Sequence, residues 1–147
     1  MKKLICLFLL INSYTALTQN FSIKEKKQID SLLIIWNNFE EEDTTRADAF
    51  QNFILTYFLS NNPDSAYVLA TEYYDFSKKK KLKYRMSTAL LFQGLSKYFV
   101  SDYEEAIDYY LRCLKLRINS GNKVGIASVY NNIGLVYQEQ GAYSNAL

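Results

Sequence analysis

From Ser22 onward the apolar positions fall at helical spacing. Ile29, Leu32, Leu33, Trp36 and Phe39 recur at three- and four-residue steps, which places them along one side of a helix over about 22–41. Further helices are predicted at about 45–60, 63–77, 82–99, 102–119 and 123–140, and a seventh opens at 142. The polar stretches "EEEDTT", "SKKKK" and "NSGNK" separate some of them. One Pro and five Gly, every Gly at or after Gly94, are few breakers and favour long helices over strands and turns. Thirteen Tyr and nine Phe supply the bulk that helix-on-helix packing needs.

The helical pattern repeats. The shift that brings Gly94 onto Gly134 also brings Leu95 onto Leu135, Tyr103 onto Tyr143 and Ala106 onto Ala146, a period of forty. One step back, Ala66 meets Ala106, so Ala66, Ala106 and Ala146 mark one position in three copies. Each copy reads as a helical hairpin. Its first helix carries a Gly (Gly94 or Gly134) where a neighbour must come close, and its second opens with a Tyr and then a small Ala. In "SDYEEA", Ser101 is expected to cap the second helix while Glu104 reaches back. In "NNPDSA", Asn62 caps and Pro63 takes the first helical position. The expected organisation is all-α: a helix within 19–43, a degenerate hairpin over 44–81, a hairpin over 82–121, and half of a further one over 122–147.

The stretch from Met1 to Thr18 stands apart. Lys2 and Lys3 precede the apolar run "LICLFLLI", and small or polar residues follow to Thr18, the layout of a cleaved secretory leader. Eight strongly apolar residues are too few to span a bilayer, which takes about 20. An uncleaved anchor is the alternative. Removing the leader changes the charge: two of the 17 basic residues are Lys2 and Lys3, so 15 basic then face 15 acidic residues. The apparent basicity belongs to the leader, and a nucleic-acid partner loses its electrostatic support. An exported, periplasmic or otherwise extracytoplasmic location is expected, with no membrane span in the mature region.

The stretch "ASVYNNIGLVYQEQGAYSNAL" resembles the first half of a tetratricopeptide repeat, through Tyr130, Ile133, Gly134, Tyr137, Gly141, Tyr143 and Ala146. "STALLFQGLSKYFVSDYEEAIDYYLRCLKL" resembles a fuller copy through Leu90, Gly94, Tyr103, Ala106 and Tyr110, and departs at Lys97, where the family usually has a large apolar residue. The family period is about 34 residues, against forty here. The resemblance implies an α-α superhelix of helical hairpins and a concave groove for a protein or peptide. Carried over by position, the groove residues are Leu91, Leu95, Tyr98, Asn131, Leu135 and Gln138. Gly94, Tyr103, Ala106, Gly134, Tyr143, Ala146 and Ala66 would pack the repeats together. The layout around "DSLLIIWNN", "DTTRADAF" and "NPDSA" further resembles the exported N-terminal part of bacterial signalling proteins, whose output is an adenylate or guanylate cyclase, a histidine kinase or a regulator. Because Leu147 falls one residue past Ala146, the sequence reads as a fragment whose open end would self-associate.

Chemistry is sparse. The chain has no His, and no phosphate-binding, nucleophile-elbow or CxxC motif. The paired carboxylates, Glu40 to Asp43 and Glu104 with Glu105, sit in a linker and at a helix N-terminus, where the macrodipole favours them. No catalytic, cofactor or metal residue is expected. "KKKKLK", Lys78 to Lys83, suits anionic lipid or nucleic acid, but a solvated helix end is the plainer reading. The expected function is therefore a non-catalytic interaction scaffold, the sensory input of a larger signalling protein. The alternatives are a piece of an enzyme whose catalytic domain follows, or a free-standing exported adaptor.

Overall fold

The computed structural model describes residues 21–141. The expected leader at 1–18 and the positions Tyr143 and Ala146 lie outside the described residues. Six helices and no strand occur among those described: α1 (Ile23–Asn37), α2 (Asp43–Tyr57), α3 (Pro63–Lys79), α4 (Lys83–Phe99), α5 (Tyr103–Asn119) and α6 (Lys123–Glu139). The all-α helical-repeat class expected from the pattern is the one found. Two compact units divide the chain between Phe53 and Ile54.

In the first unit, Ser22 caps α1 by accepting from the Glu25 amide, and Glu25 accepts the Ser22 amide in return at 2.9 Å. That hydrogen bonding holds the Glu25 carboxyl below its usual range. Ile29 and Trp36 are buried, whereas Phe39 lies beyond the helix and is 63% exposed. The predicted stripe therefore ends one turn early, because Asn38 leaves helical geometry with ψ at 105°. Trp36 stacks on Phe50 with ring centroids 4.1 Å apart. The buried Arg46 donates from Nε to the Trp36 carbonyl at 2.9 Å and pairs with Asp43 at 3.2 Å.

The second unit is more regular than the sequence suggested. Its helices α3, α4, α5 and α6 each contain 17 residues. Three-residue turns join them, so neighbours run antiparallel and α3 packs on α4, α4 on α5, and α5 on α6. Helices opening at Pro63, Lys83, Tyr103 and Lys123 thus recur at half the sequence period. The turns share one geometry. Left-handed residues stand at Lys81, Ser101, Gly121 and Gly141, with φ between 59° and 70°. The next amide reaches back along the helix: Leu82 to Ser77, Asp102 to Lys97 and Asn122 to Arg117, at 2.8 to 3.0 Å. This double closure is a Schellman ending, which satisfies carbonyls that the helix end would otherwise leave unpaired.

That geometry corrects one expectation. Ser101 does not cap α5, because it occupies the left-handed position; Asp102 caps, accepting from the Glu105 amide at 3.4 Å. Asn62 and Asn122 cap α3 and α6 in the same way, at 3.1 and 2.9 Å. Leu82 offers α4 no side-chain cap.

Candidate binding surface

The surface rests on the contact between α4 and α5. Gly94 is buried there, and a Cβ on it would stand 2.5 Å from the Tyr110 ring and 3.3 Å from the Ala106 carbonyl oxygen. The glycine therefore makes room chiefly for an aromatic ring, with the Ala106 backbone close behind it. Ala106 and Ala66 are the fourth residues of α5 and α3, and both are fully buried. Each donates its amide to the cap residue's carbonyl, at 3.0 and 2.9 Å. Tyr110 is enclosed with Leu90, Cys113, Leu114, Val129 and Val136. Burial pushes its phenol far above the usual value. The Cys113 thiol donates to the Ser87 carbonyl at 3.0 Å, and burial raises it to about 11, so it is an unreactive core group.

The six expected groove residues divide into two rows at i, i+4 and i+7 spacing. On α4, Leu91, Leu95 and Tyr98 are half-buried and pack against the Tyr110 core. On α6, Asn131 and Gln138 are exposed, and Leu135 is 45% exposed. Tyr98 also lies against the Tyr103 ring, with centroids 6.0 Å apart. Burial first, and Glu139 of α6 second, raise its phenol, so the C-terminal ends of α4 and α6 meet at this tyrosine. The α4 row divides its surface between core and solvent, whereas the α6 row is open. Gly134 is half-buried, and Tyr103 packs on the same core.

Lys97 shows why a cation stands where an apolar residue was expected. Its ammonium contacts Glu105 at 2.6 Å and Asp102 at 3.5 Å, and lies 4.8 Å from the Tyr67 ring centroid. The Glu105 hydrogen bond is the main reason its pKa is raised. Tyr67 of α3 and Tyr109 of α5 share a hydroxyl hydrogen bond of 2.6 Å. Burial, then this bond, lifts Tyr109 to about 12. Beside it Asp102, Glu104, Glu105, Asp108 and Tyr109 line an open cleft of about 600 Å³. The forty-residue register does not reveal the tyrosine pair, because its members are 42 apart. Nor does it reveal Arg117, buried at the end of α5, which donates from Nη1 to the Gly125 carbonyl at 2.7 Å.

No group of three or more potential metal-binding side chains occurs among the described residues. No described helix is long and apolar enough to cross a membrane. The unit from Ile54 thus defines a stacked helical-repeat module. Residues 85–147 match the tetratricopeptide repeat family model, which spans α4 to α6 and continues past the described residues. Neither a curated protein nor a solved structure matches the chain. Tetratricopeptide repeats typically mediate protein–protein binding and are non-catalytic, and the match over residues 85–147 points to an interaction scaffold of that kind.

Proposed function

We propose that the chain grips an extended or helical peptide along α4 and α6, as the extracytoplasmic sensory input of a larger signalling protein. The observation that supports this reading is the open row on α6. Asn131 offers an amide for backbone hydrogen bonds, and Leu135 offers apolar area beside it without first having to leave a core. Tyr98, half-buried where α4 meets α6, supplies an aromatic anchor. The leader-like residues 1–18 support export.

The test is to pan a displayed random-peptide library against the full chain and measure affinities of the selected peptides by fluorescence polarisation. Asn131→Ala and Leu135→Ala should each weaken binding about tenfold, in the range of an interface anchor. Selected peptides that bind both variants as tightly as the parent would place the binding surface elsewhere. For export, residues 1–30 fused to alkaline phosphatase should give active enzyme outside the cytoplasm, and an inactive fusion would reject that location.

A further inference from the structure

The two ends of the second unit carry opposite charge. Because α3 to α6 alternate in direction, the α3–α4 and α5–α6 turns share one end, and the α4–α5 turn lies at the other. The first end gathers Lys78 to Lys81, Lys83, Arg85 and Lys123; the opposite end holds Asp64, Asp102, Glu104, Glu105 and Glu139, with Lys97 already paired. Lys78, Lys79, Lys81 and Lys83 are exposed and form no ion pair with any described residue. The nearest preceding acid in α3 is Asp75, a turn before the lysines begin.

Helix stabilisation does not account for this lysine turn. The macrodipole favours Lys78 and Lys79 in the last turn of α3, but it opposes Lys83 and Arg85 in the first turn of α4, which has no acid. The equivalent turn between α5 and α6 has Gly121 in the left-handed position and Asn122 as cap, whereas here Lys81 and Leu82 fill those places. Three local preferences fail together, and each failure keeps positive or apolar side chains at the same end. Exposed apolar residues sit among the cations: Tyr84 at 53%, Ile118 at 53% and Val124 at 83%. Lysines interleaved with exposed aromatic and aliphatic side chains are the composition of a surface that lies on a bilayer.

We propose that this end of the module docks on an anionic phospholipid bilayer, its lysines on headgroup phosphates and Tyr84, Ile118 and Val124 at the acyl boundary. A flat partner fits a charge pattern confined to one end, because the acidic end then faces away from the anionic surface. Docking here leaves the α6 row free for a peptide.

The full chain is tested by co-sedimentation with vesicles of phosphatidylcholine alone and vesicles containing about one third phosphatidylglycerol. Lys2, Lys3 and the apolar residues 4–11 are common to the parent and to every variant, so their contribution cancels when the variants are compared with the parent on anionic vesicles. Anionic vesicles should bind at least about tenfold better than neutral ones, and the preference should fall with added salt. Replacing Lys78, Lys79, Lys81 and Lys83 together by Gln should weaken anionic binding about a hundredfold. Should that variant fail to fold by circular dichroism, Lys78→Gln with Lys79→Gln should still cost about tenfold. Tyr84→Ser should cost about threefold without altering charge. Equal binding to both vesicles, or lysine variants that bind as the parent does, would overturn the proposal. A single-stranded oligonucleotide that binds more tightly than the anionic vesicles, and loses that binding with the same lysines, would overturn it too.

Discussion

The α3–α4 and α5–α6 turns have one backbone and two chemistries. Both close with a left-handed residue, Lys81 in one and Gly121 in the other, and with the same reach-back of the next amide. At the α5–α6 turn the side chains obey the usual rules: Gly121 takes positive φ, Asn122 caps, and buried Arg117 fills the corner against Gly125. At the α3–α4 turn the equivalents are Lys81, Leu82, Ser77 and Arg85. The arginine and the small residue have changed helices. At the α5–α6 turn the large side chain is accommodated because a glycine faces it, whereas at the α3–α4 turn Arg85 lies over the Tyr84 ring, 5.1 Å from its centroid.

Deleting the arginine tests this most severely. Arg117→Ala leaves the Gly125 carbonyl without its 2.7 Å donor and opens a void, and should cost about 3 kcal/mol in urea denaturation of the full chain. A loss below about 1 kcal/mol would mean that the corner refills with water and the comparison carries no energy. Gly125→Ala comes next. The new Cβ would stand 2.7 Å from both Arg117 Cδ and Asn122 Nδ2, so both side chains must shift, at about 2 kcal/mol. Combining Gly125→Ala with Arg117→Ser, which installs the small residue of the other turn, should recover about 1 kcal/mol beyond additivity. Strict additivity would show that the two positions do not share a corner.

The cap offers a smaller and cleaner contrast. Asn122→Leu gives α6 the residue that opens α4, removes the 2.9 Å bond from the Gly125 amide, and should cost about 1 kcal/mol. An unchanged thermal midpoint would imply that water serves this amide as well as the asparagine does.

These turns also show what the sequence could and could not convey. The forty-residue register was legible because Gly94 and Ala106 lie at one close approach, where the Tyr110 ring and the Ala106 carbonyl leave no room for a Cβ at Gly94. The shorter rhythm of the turns was hidden, because glycine marks only Gly121 and Gly141 of four left-handed sites, and Lys81 and Ser101 disguise the others. In "SDYEEA" capping is available in two phases one residue apart, and the left-handed turn selects Asp102. Lys97 departed from the family pattern because its partners, Asp102 and Glu105, come from across that turn. On the candidate surface, the rows were carried over from the family resemblance, which said nothing of their exposure: α4 is flanked on both sides by packed neighbours, which partly cover Leu91 and Leu95.

The mildest change separates stability from docking. Lys81 has φ of 59°, where a Cβ crowds the backbone at about 1–2 kcal/mol and glycine suffers no such clash. Glycine also gains entropy in the unfolded chain, which returns about half of that. Lys81→Gly should therefore stabilise the protein by about 0.5–1 kcal/mol, and Ser101→Gly, at φ of 62°, by the same amount. Their effects on anionic vesicles should differ. Lys81→Gly removes a charge from the basic end and should weaken binding about fivefold, whereas Ser101→Gly lies at the acidic end and should leave it unchanged. If Lys81→Gly gained stability without losing vesicle binding, the lysine would be a tolerated misfit and not a residue held in strain for its charge.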